Sequence, residues 1–153
     1  MKKYIAIAVL FQAYMLSRCP DNGSMEVILA GRAMHQGLWL YRDFSCHYGP
    51  VMPILFWVLQ PGLFGAALVY GLFNLLTAWG IYKISGSEIA ALLFLLIKPW
   101  FFGDAWNVET PMVAMGVWSF YFAATQRKGW AALLVGLAFL VKQPGAIYAL
   151  CLL

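Results

Sequence analysis

A single polar stretch, residues 18–50, interrupts a chain that is otherwise mostly apolar. Carboxylates and histidines act as general acids and bases, so chemistry in this protein is expected to depend on this stretch. It holds three of the six acidic residues, both histidines, three arginines and two of the three cysteines: Asp21, Glu26, Asp43, His35, His47, Arg18, Arg32, Arg42, Cys19 and Cys46.

These residue types leave several interpretations open. His35 and His47 are twelve residues apart, which is not a recognised metal-ligand spacing. We therefore expect no zinc site and assign no cofactor, while leaving a requirement for a divalent metal open. Cys19 and Cys46 bracket the stretch and could form a disulfide on an oxidising face or remain free thiols. Asp21 either caps the helix that follows it or has a functional role.

Composition indicates where the protein resides. Hydrophobic residues make up 63% of the 153 residues and charged residues only 10%, too few to cover a water-soluble domain of this size. The chain is therefore predicted to be a polytopic membrane protein. Its formal charge of +4 comes from basic residues scattered at the ends of apolar runs, so no nucleic-acid partner is expected.

The apolar runs predict an all-α fold with about five transmembrane helices and a helical first extracytoplasmic loop. The first run, Tyr4 to Ser17, is interpreted as an uncleaved anchor, with a signal peptide as the alternative. A helix over 22–36 ends at Gly37, and a short interfacial or re-entrant helix ends at Leu59, before Gln60-Pro61-Gly62. The further spans are expected at 63–82, 88–102, about 108–126 and 130–142.

The basic residues predict the orientation of these spans. Strict alternation places Lys2, Lys3, Lys83, Arg127 and Lys128 together on one side, which the positive-inside rule assigns to the cytoplasm along with the N-terminus. The opposite, extracytoplasmic face then receives the polar stretch together with Lys98, Asp104, Glu109 and Lys142. Charged groups from four segments are thus expected on one face of a plasma or inner membrane.

Three motifs resemble those of the GT-C superfamily, the membrane glycosyltransferases that use polyprenyl-phosphate-linked sugars and include protein mannosyltransferases. The first runs through the polar stretch and the other two open the fourth span and close the fifth. They comprise Asp21, Glu26, Ala30, Met34 and Gly37 continuing to Tyr41-Arg42-Asp43-Phe44 and Tyr48-Gly49-Pro50; Asn107-Val108-Glu109-Thr110-Pro111; and Gly136-Leu137-Ala138 continuing to Lys142-Gln143-Pro144.

The resemblance implies inverting sugar transfer from a polyprenyl-phosphate donor to an extracytoplasmic glycan, lipid or protein acceptor, with a carboxylate as general base. Asp21 is then the expected base, and Glu109 is the second catalytic residue, which positions the acceptor or a cation. Cations must stabilise the departing lipid phosphate. The expected substrate-binding residues are Glu26, Arg42, Asp43, Tyr48, Lys98, Asp104 and Lys142.

Residues 1–153 are predicted to form a single transmembrane domain, the N-terminal part of a longer GT-C-like module, in which 18–50 is an extracytoplasmic loop with a juxtamembrane helix. Two other function classes remain alternatives: a transporter or flippase fragment, and a non-catalytic membrane assembly protein. A transporter is expected to carry charged residues inside its spans at mid-membrane, whereas the charges here lie near the predicted helix ends.

Overall fold

A computed structural model describes Leu10 and residues 22–60, 62–102 and 109–152. In these residues all regular secondary structure is helical, and the only β-type pairing is an isolated bridge between Leu40 and Phe44. The all-α prediction is confirmed for this part of the chain. The elements are α1 (Asn22–His35), α2 (Val51–Leu59), α3 (Leu63–Ser85), α4 (Glu88–Phe102), α5 (Glu109–Ala124), α6 (Lys128–Val141) and a 3₁₀ segment (Gln143–Leu152).

The helices end where left-handed or extended backbone interrupts them. Gly37 has φ 91° just after α1, and Gly86 has φ 66° after α3, where its N–H donates to the carbonyl of Tyr82. Glycine adopts this left-handed conformation without a Cβ clash, so both positions terminate a helix cleanly. After α6, Lys142 is extended and Pro144 follows, which stops the α-helix.

Two antiparallel helical hairpins, α3 with α4 and α5 with α6, form the centre of the structure. They join through the parallel pair α3 and α5, where the Trp118 indole N–H donates to the carbonyl of Leu76 at 3.0 Å. At Gly80 an added Cβ would lie 2.6 Å from the Val117 side chain. The second half of α3 and the second half of α5 therefore lie side by side, with the two hairpin turns at the same end.

The outward face of α3 is apolar and its inward face is small or polar. Its exposed side chains recur every three or four residues and its buried ones lie between them. The exposed set is Phe64, Leu68, Leu72, Leu75 and Trp79, and the buried set includes Ala66, Ala67, Gly71, Asn74 and Thr77. A helix in a water-soluble domain shows the reverse distribution, whereas membrane helices pack through small and polar residues.

The polar stretch and α2 pack beside the first half of α3. Gly31 of α1 faces the backbone of α2 at Phe56 and Trp57, and the Phe56 ring lies 6.0 Å from the Tyr70 ring of α3. Buried side chains from α1, α2, α3, α5 and α6 form one continuous core, including Val27, Ile28, Met52, Phe56, Tyr70, Met112 and Val141.

Within the described residues, one helix, Leu63–Ser85, is long and apolar enough to cross a membrane on the criteria of length and composition. Its most apolar window is 44% buried, and one helix of this kind does not confirm the polytopic part of the prediction. The other expected spans in this part of the chain, α4, α5 and α6, have 15, 16 and 14 residues, fewer than the about 20 that a perpendicular span needs. The expected first span lies outside the described residues.

The close contact between α1 and α2 predicts the effect of a single methyl group. In Gly31→Ala, the new Cβ would lie 2.7 Å from the Phe56 Cβ and 3.0 Å from the α2 backbone. We expect a loss of about 1–3 kcal/mol in stability, because overpacking forces the helices apart. Thermal unfolding of the purified protein in detergent measures this change.

Gly136→Ala is the matched control, because Gly136 is also helical but has no atom within 4 Å of the added Cβ. This change should leave the melting temperature unchanged or raise it, since alanine favours helix. Equal melting temperatures for the two variants would contradict the α1–α2 packing.

Candidate functional site

An ion pair joins the start of α5 to the end of α6. The ammonium group of Lys142 donates to the Glu109 carboxylate, and each side chain is 30% exposed. Glu109 lies in the first turn of α5, where its negative charge complements the helix dipole. Residues 33 positions apart in sequence are thus held together at one end of the α5–α6 hairpin.

Tyr48 lies against the same lysine. The Lys142 ammonium is 5.5 Å from the centroid of the Tyr48 ring, a cation–π distance worth about 0.5–2 kcal/mol depending on burial. The next residue, Gly49, donates its backbone N–H to the carbonyl of Val141 at 3.0 Å. A Cβ at Gly49 would overlap the Leu140 carbonyl, so glycine is what permits this approach.

Lys98 lies next to the other side of the first turn of α5. Its ammonium donates to the Thr110 hydroxyl at 2.6 Å, and the residue is only 7% exposed. Lysines are rarely buried to this degree unless they have polar partners. Four predicted site residues, Tyr48, Lys98, Glu109 and Lys142, therefore lie around the start of α5, and we call them the α5 cluster.

The α5 cluster combines groups suited to binding a phosphate and a hydroxyl. Two ammonium groups beside a helix N-terminus favour an anion, and ammonium groups can stabilise charge on a leaving phosphate. A carboxylate can orient a hydroxyl or accept its proton. Among the residues that the structure describes, no group of three or more His, Cys, Asp or Glu side chains is placed to hold a metal ion.

Glu26 anchors the segment that carries Tyr48. Its carboxylate accepts the His47 backbone N–H at 2.6 Å and contacts the His47 ring at 3.1 Å. Partial burial raises the pKa of Glu26, but hydrogen bonds from His47 and the Cys46 thiol outweigh it, so the net pKa lies below its ordinary value. Glu26 thus ties α1 to the residue preceding Tyr48.

A compact turn over residues 39–44 supports Tyr48 from the other side. Asp43 forms two hydrogen bonds with the Arg42 guanidinium and accepts the Trp39 backbone N–H at 2.7 Å. Two hydrogen bonds lower the pKa of Asp43: the larger effect comes from the Arg42 side chain and the smaller one from the Trp39 backbone N–H. The Tyr41 hydroxyl then donates to the carbonyl of Tyr48 at 2.7 Å.

The predicted site residues therefore divide into three sets. Four form the α5 cluster. Glu26, Arg42 and Asp43 form contacts within the polar stretch that positions Tyr48. The Arg42 guanidinium lies over the Trp39 ring, 5.9 Å from its centroid. Asp21, the expected base, and Asp104 lie outside the described residues.

Two contacts and the state of one cysteine were not predicted from the sequence. Thr110 binds Lys98, and His47 binds Glu26. Thr110 stands within a quoted motif beside Glu109, and His47 directly precedes the motif residue Tyr48, which was the available signal. Cys46 is a free, buried thiol, and Cys19, its partner in the disulfide alternative, lies outside the described residues. Burial raises the pKa of Cys46 to about 11, which makes the thiol unreactive.

No protein-family model, curated protein or solved structure matches this chain. The likeness to GT-C enzymes therefore rests on the three motifs and on the positions of the residues within them.

The lowered pKa of Glu26 predicts a pH-dependent stability. Because its folded-state pKa lies below the ordinary value of 4.5, the ionised carboxylate stabilises the fold above that pH. This contribution is lost as the pH falls through the folded pKa. Melting temperatures of wild type and Glu26→Gln, measured from neutral to acidic pH, should differ at neutral pH and converge in acid.

Glu88→Gln serves as the control, because Glu88 is an exposed carboxylate in the first turn of α4. Its curve should run parallel to that of the wild type. A Glu26→Gln curve parallel to the wild type over the whole range would exclude the anchoring role of Glu26.

The ion pair between Glu109 and Lys142 predicts non-additive mutations. Glu109→Gln and Lys142→Gln should each cost about 1–3 kcal/mol, since each leaves a partly buried charge without its counterion. The double variant should cost less than the sum of the two, by at least about 0.5 kcal/mol. Thermal or denaturant unfolding of the four proteins measures the coupling, and additive effects would show that the pair is absent in solution.

Proposed function

We propose that this chain is a polytopic membrane glycosyltransferase of the GT-C type, or the N-terminal portion of one. It transfers a sugar from a polyprenyl-phosphate donor to a glycan, lipid or protein acceptor on the extracytoplasmic side. The observation that carries the proposal is the α5 cluster: Tyr48, Glu109 and Lys142 belong to three separate motifs and lie in mutual proximity through Lys142.

Two features support a membrane location with this orientation. The apolar outward face of α3 suits lipid, and its small inward face suits helix packing. The α3–α4 and α5–α6 turns carry Lys83, Arg127 and Lys128 at the end opposite the α5 cluster. By the positive-inside rule those turns belong in the cytoplasm, which assigns the cluster to the extracytoplasmic half.

The proposed reaction is an inverting displacement at the anomeric carbon of the donor. The acceptor oxygen forms a bond to that carbon as the bond to the phosphate oxygen breaks, and the polyprenyl phosphate leaves with the electron pair. Asp21 takes the proton of the acceptor hydroxyl. Lys98 and Lys142 stabilise the charge on the leaving phosphate, and Glu109 orients Lys142 and the acceptor.

A transporter or flippase is the second candidate, and one observation favours it. The α5 cluster lies level with the middle of α3, since Val117 packs at Gly80 and only about 12 Å of helix separates Val117 from Glu109. Charged residues at the ends of short helices near mid-membrane are typical of substrate and ion sites in transporters.

Sugar transfer can be tested with polyprenyl-phosphate-linked hexose donors carrying a radiolabelled sugar, mannose first, added to membranes containing the protein. We expect Asp21→Asn to reduce incorporation into acceptors by about 10²–10⁴-fold, because the general base is lost. Glu109→Gln and Lys142→Gln should also reduce transfer, through lost positioning and lost phosphate stabilisation. Membrane insertion and expression of Asp21→Asn should be unchanged.

Glu88→Gln and Lys83→Gln are the matched controls, since both remove a charge at the opposite end of the helices and should retain wild-type transfer. Wild-type turnover in Asp21→Asn would exclude its role as base. Donor movement across sealed vesicles without any labelled product would favour the flippase.

A further inference from the structure

Measured from the hairpin turns, α3 provides a longer apolar length than α4 and α6 provide before their lysines. From Ser85 back to Leu63, α3 rises about 33 Å. From Glu88 to Lys98 the rise is about 15 Å, and from Lys128 to Lys142 it is about 21 Å. The charged side chains of the α5 cluster thus lie about 12–18 Å nearer the turns than the first residue of α3.

These lengths can be compared because both turns lie at one level. Val117 packs at Gly80 and Trp118 bonds the carbonyl of Leu76, so Ser85 is level with a residue close to the end of α5. The contact between Lys98 and Thr110 agrees with this register, since α4 and α5 then reach the same height.

Only α3 matches a bilayer whose hydrocarbon core is about 30 Å thick. On the other side of the bundle, large apolar side chains are also exposed between the hairpin turns and the cluster, including Ile89, Leu93, Leu133 and Phe139. Neither lysine extends toward the headgroups, because their ammonium groups are directed at Thr110 and Glu109.

We propose that the bilayer is thinned beside α4 and α6, so that the phosphate headgroups of the bordering lipids lie at the depth of the α5 cluster. Beside α3 the bilayer keeps its full thickness. Thinning costs little per ångström of mismatch, whereas charge held at the centre of a full-thickness bilayer is expensive. The inference rests on the membrane location given under the proposed function, and it gives a lipid-linked phosphate access to Lys98 and Lys142 from the side.

Two positions at the same height but on different sides of the bundle test this arrangement. Leu72 lies about 20 Å along α3 from Ser85 and is 57% exposed, and Gln143 lies about 22 Å from Lys128 and is exposed. A nitroxide label is attached to Leu72→Cys or Gln143→Cys in the full chain with its native cysteines replaced by alanine. The protein is reconstituted in phosphatidylcholine vesicles, and collision rates with oxygen and with a water-soluble nickel complex are measured.

The label at Gln143 should collide several-fold more with nickel relative to oxygen than the label at Leu72, because it lies among headgroups while Leu72 lies in the hydrocarbon. A label at Phe64→Cys, near the first residue of α3, gives the headgroup reference. Lengthening the acyl chains should bury Leu72 more deeply and leave Gln143 at the headgroups. Labelled proteins are compared only if their melting temperatures match the wild type.

Two results would overturn the proposal. If both labels collide mainly with oxygen, both lie in the hydrocarbon, the bilayer is flat and the cluster lies at its centre. This result overturns thinning but does not bear on sugar transfer, which the transfer assay tests separately. If both labels are as accessible to nickel as Phe64, α3 does not span, and the membrane location fails as well. Because the measurement needs no donor or acceptor, absence of transferase activity does not affect its outcome.

Discussion

The ion pair between Glu109 and Lys142 constrains more of this structure than any other polar contact. It joins the start of α5 to the end of α6 and orients the lysine above the Tyr48 ring. A charge placed against apolar helices is tolerated only when a counterion or a hydrogen-bond partner lies beside it. The position of Lys142 therefore determines where the segment around Gly49 lies. The Gly49 N–H donates to the carbonyl of Val141, the last residue of α6.

The polar stretch is organised so that its own charges are satisfied locally while Tyr48 is held in place. Asp43 is occupied by Arg42 and the Trp39 amide, and Glu26 by His47. Hydrogen bonds to charged groups are stronger than those between neutral groups, so these contacts can hold a segment that has no regular secondary structure. Glu26 bonds the residue before Tyr48, and the Tyr41 hydroxyl bonds the Tyr48 carbonyl. The Tyr48 ring is thereby held beside Lys142.

The reversed face of α3 links this site to its surroundings. Alanine, glycine, asparagine and threonine are buried in the bundle, and leucine, phenylalanine and tryptophan face outward. Because the backbones approach closely, the first residue of α5 and Lys98 of α4 lie nearer to the hairpin turns than the first residue of α3 does. The height of the α5 cluster along α3 follows from this register.

The sequence alone determined the helical class and, to within a few residues, the bounds of every α-helix described, but not the 3₁₀ segment after Val141. The signals were local: Gly37 and Gly86 stop helices through left-handed backbone, and prolines exclude α-helix after Leu59 and Val141. The sequence also grouped Tyr48, Lys98, Glu109 and Lys142 on one face, through the alternation of spans.

Only the tertiary structure decided which charges pair and how deep they lie. Lys142 selects Glu109, Lys98 selects Thr110, Glu26 selects His47, and Cys46 stays a free thiol. These choices depend on the relative height of helices distant in sequence, which is set by the contacts at Gly80 and Trp118. Hydrophobic patterning specifies that a helix forms and which face it buries, but not how far it slides along its neighbour.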